Sequence, residues 1–220
     1  MERANEGPPH SVSVSSFCMD RTEVTVRDYT ACVKAGRCGA SDIQFGCNTP
    51  GTGKDDHPQN CVISTDARKF CEWRGGLLPT EQQWEYAARG GAEQRTYPWG
   101  ESAPTPNSAC WENQSGTCRV GSFPAGAFGL QDMAGNVWEW VADVYAPYPG
   151  APSNPDRRPG SDVVVRGGAW GSTTTEIYKV QWSTYVNGGV IGGPRTLRGA
   201  YRFKSSGRSK YTGFRCASSI

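Results

Sequence analysis

The stretch FGLQDMAGNVWEW, residues 128–140, is the most informative part of the chain. Apolar residues alternate here with groups that can bind a cation. Asp132 and Glu139 supply carboxylates, and the turn at Gly135 and Asn136 can direct backbone carbonyls towards one point. Hard oxygen ligands of this kind suit Ca²⁺. The alternative is that both carboxylates bond loop amides or pair with arginines.

Five further motifs stand in order along the chain, before and after this stretch. They are EVT (23–25), LPTEQQWEYAARG (78–90), YPWG (97–100), VRGGAW (165–170) and GFR (213–215). Together the six motifs resemble the formylglycine-generating-enzyme, or sulfatase-modifying factor, superfamily, which has a variant of the C-type lectin fold. The resemblance implies an α+β, loop-rich fold with two main helices and small sheets. It also implies one domain over residues 1–220.

Local patterns predict a small number of regular elements. The apolar spacing after Thr25 predicts a helix that ends before Gly36, and Thr80 followed by Gln83 forms a capping box that begins a third, short helix. Period-two alternation predicts strands. The predicted elements are a strand over 10–18, helices over 25–34, 64–74 (with a Ser/Thr cap) and from 80 onwards, and short strands over 162–166 and 178–185.

The composition sets the class of protein. A chain of 220 residues can bury a core without help from a metal, and 28 Gly and 15 Pro predict many loops. No apolar run approaches the ~18 residues of a membrane helix, which excludes an integral membrane span. The first ten residues contain no apolar core of a signal peptide, so no signal peptide is expected in this chain.

Charge is divided unevenly along the chain. Residues 1–156 hold 12 Lys and Arg against 19 Asp and Glu, whereas residues 157–220 hold 11 against 2. A basic quarter of this kind could face an anionic ligand, but it is expected to fold against the acidic part because its arginines are dispersed. No run of five basic residues occurs, so no nucleic-acid partner is expected.

Nine cysteines are many for a reducing compartment. They predict an exported protein that is periplasmic, secreted or surface-associated. The close pairs Cys32/Cys38 and Cys110/Cys118 are expected to be local disulfides, and one cysteine must be left over. The family resemblance implies a further disulfide between Cys71 and Cys216. The pairing of Cys18, Cys47 and Cys61 stays open.

The resemblance also implies a structural calcium site in residues 128–140. Its ligands would be the side chains of Asp132 and Glu139 and the backbone carbonyls of Gly135 and Val137.

The catalytic centre of the family is missing from the sequence. The family enzyme holds Cu(I) between two thiolates five residues apart, because Cu(I) prefers soft sulfur ligands. Here the first position holds Ser172 and the second falls near Ile177, and no cysteine occurs anywhere in residues 119–215. The iron-dependent branch of the superfamily needs three histidines, but the chain has only His10 and His57. We therefore expect no copper, no iron and no catalytic residue.

The segment 166–215 is predicted to face a ligand, principally through residues 170–211. Rigid aromatic rings among small polar residues are typical of binding surfaces such as antibody loops. This part of the chain resembles the variable proteins of diversity-generating retroelements, whose variable residues lie in the same place. The expected ligand is a protein, a peptide or a cell-surface group. The candidate residues are Trp170, Ser172, Thr174, Glu176, Tyr178, Trp182, Tyr185, Asn187, Phe203, Lys204, Ser206, Arg208, Lys210 and Tyr211.

Two other functions stay open at this point. The first is an atypical enzyme of the family that oxidises peptides at a non-standard site. The second is a structural module of an exported assembly.

Overall fold

The computed structural model describes residues 8–41, 43, 46–150, 162–172 and 197–220. In these ranges three α-helices precede most of the strands. They are α1 (Val26–Lys34), α2 (Ser64–Trp73) and α3 (Glu81–Ala88). The six strands are β1 (Phe17–Met19), β2 (Trp138–Val144), β3 (Val163–Arg166), β4 (Arg202–Ser205), β5 (Thr212–Gly213) and β6 (Ala217–Ser219). The predicted strand over 178–185 lies outside the described residues.

Two of the helices begin as the sequence predicts. The Thr25 hydroxyl accepts the Asp28 amide at the start of α1. At the start of α3, the Thr80 hydroxyl accepts the Gln83 amide at 3.2 Å, and the Gln83 side chain accepts the Thr80 amide at 2.9 Å. These bonds satisfy amides that have no partner inside the helix, so they fix where each helix begins.

The start of α2 differs from the expectation. Its N-cap is Ile63, whose side chain makes no capping hydrogen bond, and Ser64 is already helical. The predicted Ser/Thr cap is therefore wrong. The residue before Ile63 is held from outside the helix, because the indole of Trp140 donates to the Val62 carbonyl at 3.0 Å. Tertiary packing thus fixes this helix end in place of a local cap.

The strands form two separate sheets. One has four strands in the order β4-β3-β2-β5, and the other pairs β1 with β6. Strand β2 pairs antiparallel with β3 and parallel with β5. The main core packs α1 and α2 against β2, with Tyr29, Phe70, Trp138, Trp140 and Phe214 at its centre. The resulting α+β architecture with small sheets and long loops is the fold class that the sequence predicts.

The strands were predicted less well than the helices. The strand expected over 10–18 is only Phe17–Met19 long, because its partner β6 has just three residues. Strand β2 was not predicted at all. Its first four residues are all buried, so it lacks the alternation that marks a half-exposed strand.

Four disulfides join the described residues. Three of them are the pairs named from the sequence: Cys32–Cys38, Cys71–Cys216 and Cys110–Cys118. The fourth joins Cys47 to Cys61, and Cys18 is left as an exposed thiol. Disulfides persist in oxidising compartments, so this set indicates an exported protein.

None of the helices in the described ranges combines the length and the apolar character needed to cross a membrane.

Candidate functional site

Helix α3 directs two glutamates towards arginines of the C-terminal strands. Arg202 and Glu81 form a bidentate salt bridge. Arg202 Nε donates to Glu81 Oε1 at 2.7 Å, and Nη2 donates to Oε2 at 2.8 Å. Arg166 reaches Glu81 Oε1 at 3.2 Å and Glu85 Oε2 at 2.5 Å. The two glutamates lie four residues apart on one face of the helix, so α3 is fixed to β3 and β4 by one buried ionic cluster.

This cluster also holds the chain that leads into β4. The Arg166 guanidinium donates to the carbonyls of Gly199 at 3.2 Å and Tyr201 at 3.0 Å. Burial acts to raise the pKa of Glu85, but the adjacent guanidinium groups of Arg166 and Arg89 outweigh it and hold that pKa below its usual range. Glu85 is therefore ionised at neutral pH and pairs fully with Arg166.

A second buried cluster lies at the motif that decides the fold. Both carboxylate oxygens of Glu139 accept from Arg215, each at 2.7 Å, and the Trp84 indole donates to Glu139 at 2.8 Å. Arg215 also donates to the carbonyls of Asp20, Arg21 and Gln131. One guanidinium thus connects β2, the C-terminal chain and the segment after β1.

These contacts neutralise much of the positive charge of residues 157–220 with the negative charge of residues 1–156. Arg166, Arg202 and Arg215 belong to the basic quarter, are each at most 2% exposed, and pair with glutamates of the acidic part. Arg208 pairs with Asp66 at 3.1 Å. The basic quarter therefore folds against the acidic part, and much of its charge serves the fold.

A cluster of acidic groups surrounds Asp132. Burial raises the pKa of Glu23 well above its usual range, and the carboxylates of Asp132 and Glu139 raise it further. Burial also raises the pKa of Asp132, although the Gly121 amide donates to its carboxylate. Glu23 Oε1 is buried without a hydrogen-bond partner among the described residues. Three carboxylates thus meet, with Arg215 as the cation that lowers the pKa values of both Glu23 and Asp132.

The ligand type at Asp132 suits a divalent cation, but the arrangement of the described side chains is not that of a complete metal site. Their carboxyl oxygens are the ligand type that Ca²⁺ prefers, and Glu23 Oε1 is buried without a hydrogen-bond partner among the described residues. Glu139 instead shows the alternative considered from the sequence, since Arg215 and Trp84 already occupy its oxygens. In the described part of the chain, no group of three or more His, Cys, Asp or Glu side chains is arranged to hold a metal.

The described part of the predicted ligand-binding segment presents a stacked aromatic pair. The rings of Trp170 and Tyr211 lie 4.6 Å apart at 28°. The Lys210 ammonium lies 5.6 Å from the Trp170 ring centre and 5.2 Å from that of Tyr211. Gly171 makes this arrangement possible, because a Cβ there would stand 2.7 Å from the Tyr211 ring. We use "binding face" for Trp170, Phe203, Lys204, Ser206, Arg208, Lys210 and Tyr211.

The other members of the binding face differ in their surroundings. Phe203 packs against Trp138, with 6.0 Å between ring centres, and both Phe203 and Tyr211 are partly buried against the main core. Lys204 pairs with Asp162 at 3.0 Å, and Ser206 is exposed. Six candidates lie outside the described residues: Thr174, Glu176, Tyr178, Trp182, Tyr185 and Asn187.

Ser172 does not belong to the surface, contrary to the expectation. It is fully buried, and its hydroxyl accepts the Ala169 amide at 3.2 Å while its own amide donates to the Ala169 carbonyl. The position that would carry the first copper thiolate therefore holds a hydroxyl that closes a turn. The physical reason is local, since a short Ser side chain bonds nearby backbone readily.

The whole chain matches one family. Residues 1–220 match the model of the sulfatase-modifying factor enzyme 1-like domain. The chain belongs to this family. Its match over the full length agrees with the six motifs and with the fold described above.

The proteins that the chain resembles differ in what their names say. The chain is 29% identical over 220 residues to the "inactive C-alpha-formylglycine-generating enzyme 2" of Bos taurus. The matched region covers 76% of this chain and 70% of that protein. The structure of PvdO from Pseudomonas aeruginosa has a TM-score of 0.74 and 27% identity over 99% of this chain and 86% of that one. Treponema denticola variable protein 1 shares the fold, with a TM-score of 0.71 and 23% identity over 98% of this chain and 89% of that one.

Sequence reasoning missed one group of residues behind the binding face. Asn60 is fully buried and donates to the Lys210 carbonyl at 2.7 Å, and the Cys47–Cys61 disulfide closes the loop that carries it. The only local signal was an Asn directly before a Cys in a loop rich in Asn, Asp and Gly. A contact across 150 residues of chain leaves no pattern in a single sequence.

Proposed function

We propose that this protein is a non-catalytic ligand-binding member of the sulfatase-modifying factor family, exported to the periplasm, the medium or the cell surface. It engages a protein, a peptide or a cell-surface group through the binding face. The observation that carries the proposal is Ser172, which is buried in a turn where the family enzyme needs a copper thiolate.

The chemistry of the binding face supports this role. Stacked Trp and Tyr rings offer a rigid apolar area that loses little side-chain entropy on binding. The ammonium of Lys210 above both rings adds a charged group that can select a partner. No cysteine in residues 119–215 can replace the missing thiolates, which argues against oxidative peptide modification of the family type.

A screen with matched variants tests the binding role. Wild-type protein would be screened against a displayed peptide library and a glycan array, beside Trp170→Ala/Tyr211→Ala and the control Trp73→Ala, whose ring is 40% exposed on α2. Hot-spot aromatics contribute about 2 kcal/mol or more, so we expect at least a 30-fold weaker Kd for the double variant and an unchanged Kd for the control. Ligands that bind all three proteins equally would contradict the binding face.

Lys210→Glu provides a second variant for the same screen. It leaves the stacked rings in place, so it keeps the test informative if the double variant is destabilised. We expect it to weaken the binding of acidic ligands more than that of neutral ones, because the charge on the face changes sign.

A structural calcium ion belongs to the same proposal. The Asp132 side chain and the carbonyls of Gly135 and Val137 would hold it, with Glu139 beside them. The buried Oε1 atom of Glu23, which has no hydrogen-bond partner among the described residues, supports it, because a nearby cation would offset the cost of burying these carboxyl groups. Its role is to stabilise the loop that leads into β2.

Calcium should therefore raise the melting temperature. At a calcium concentration about 100-fold above Kd, ligand linkage contributes about 2.7 kcal/mol, which corresponds to a rise in Tm of roughly 5–10 °C for a chain of this size. Scanning calorimetry in calcium and in EGTA measures the rise. Asp132→Asn should abolish it, whereas Glu93→Gln, whose side chain is 59% exposed, should keep it. Equal Tm values for the wild type in both buffers would refute the site.

A further inference from the structure

The two halves of the Trp170–Tyr211 pair are held by two different disulfide loops, residues 47–61 and residues 110–118. We infer that these loops together position the aromatic pair, and that Asn60 is the positioning residue on the Tyr211 side. The inference deepens the proposed function and rests on it for its consequence in binding. Its physical content can be tested without any ligand.

The loop of residues 47–61 holds the chain before Tyr211. The side chain of Asn60 donates to the Lys210 carbonyl at 2.7 Å and to the Gly46 carbonyl at 3.1 Å, and accepts the Asn48 amide at 2.7 Å. The Cys61 amide donates to the Ser209 carbonyl at 3.0 Å. The Asn60 side chain therefore makes three hydrogen bonds to backbone groups, two on its own side of the contact and one with the binding face.

The loop of residues 110–118 holds the chain around Trp170. The Asn113 amide donates to the Trp170 carbonyl at 3.0 Å, and the Glu112 amide donates to the Ser172 carbonyl at 2.8 Å. Glu112 adopts a left-handed conformation with φ of 50°, which is unfavourable for a residue with a side chain. The disulfide Cys110–Cys118 closes the loop around this residue.

The two loops are also joined to each other. The Asn48 side chain donates to the Thr117 hydroxyl at 3.0 Å across 69 residues of chain, in a buried contact. The His57 ring lies 2.9 Å from the same hydroxyl. The indole of Trp170 then reaches the Lys210 carbonyl at 3.4 Å, where Asn60 also donates. Both sides of the pair thus rest on one connected support.

This support fixes the binding face before a ligand arrives. Side chains that are already ordered lose less entropy on binding, so a face held in this way gains affinity. The Cys32–Cys38 disulfide does not contribute to this support directly, because it lies at the end of α1. Loss of the Cys47–Cys61 bond should therefore loosen the face and leave the core folded.

Indole resonances provide a direct readout. The protein has eight Trp, so an amide spectrum of ¹⁵N-labelled protein contains eight indole signals, and Trp170→Phe assigns one of them. In Asn60→Ala we expect the Trp170 indole signal to shift and its hydrogen exchange to become roughly fivefold to tenfold faster. The Trp84 indole, which bonds Glu139, should not change. Asn107→Ala, at an exposed asparagine, is the matched control.

Two variants that each lack one disulfide make the same test independently. Cys47→Ser/Cys61→Ser should reproduce the change at Trp170, whereas Cys32→Ser/Cys38→Ser should not. The inference would be overturned by an unchanged Trp170 signal in both Asn60→Ala and Cys47→Ser/Cys61→Ser. Equal changes at Trp84 and Trp170 would also overturn it. Because no ligand is present, this outcome is separate from a failure of the proposed binding function.

Discussion

Arg215→Met should lower the free energy of unfolding by about 3–5 kcal/mol, because it leaves the carboxylate of Glu139 buried without its ion pair. Arg215 is fully buried and donates to both Glu139 oxygens and to three backbone carbonyls. The nearby carboxylates of Glu23 and Asp132 would also lose their shared cation. Domains of this kind are stable by about 5–15 kcal/mol in total, so the loss is large. Urea denaturation with the disulfides intact measures it.

Two further variants show whether the burial of the charge is the cause. Arg74→Met removes an exposed arginine that lies 3.4 Å from Asp20, and should cost less than about 1 kcal/mol. The double variant Arg215→Met/Glu139→Leu should be more stable than Arg215→Met alone, because it removes the unpaired charge. A double variant that is less stable than Arg215→Met would show that packing dominates at this site.

Removal of the Cys71–Cys216 disulfide should destabilise the fold by a similar amount. The bond closes a loop of 145 residues between α2 and the chain before β6. In the chain-entropy model, a loop of this length contributes about 5 kcal/mol, whereas the short Cys32–Cys38 loop contributes about 2 kcal/mol. Cys71→Ala/Cys216→Ala should therefore unfold at clearly lower urea concentration than Cys32→Ala/Cys38→Ala. Equal midpoints for the two variants would show that loop entropy is not the cause.

The sequence predicts the architecture because its decisive motifs act locally or are shared by the family. The capping box at Thr80 and Gln83 needs only four adjacent residues, and the structure contains it. Strand β2 was missed for the opposite reason. Its residues Trp138–Val141 are buried on both faces, since the sheet and the helices cover them, and burial on both faces removes the period-two signal.

The candidate site was predicted only in part, because its residues act across long stretches of chain. The composition of residues 170–211 made Trp170 and Tyr211 candidates for ligand binding, and the structure stacks their rings, which the composition alone does not predict. Nothing in the spacing of cysteines selects Cys47 and Cys61 as partners, since pairing depends on the folded chain. For the same reason, the burial of Ser172 and the role of Asn60 depend on contacts that sequence periodicity does not record.

A copper and peptide assay tests the central claim most directly. The purified protein would be loaded with Cu(I), supplied with oxygen and a cysteine-containing peptide, and analysed by mass spectrometry for conversion of the cysteine thiol to an aldehyde. A family enzyme would serve as the positive control. The absence of thiolates at residues 172 and 177 predicts no aldehyde above the level of a protein-free sample with the same copper. Aldehyde formation that depends on this protein would contradict the account and identify it as an enzyme.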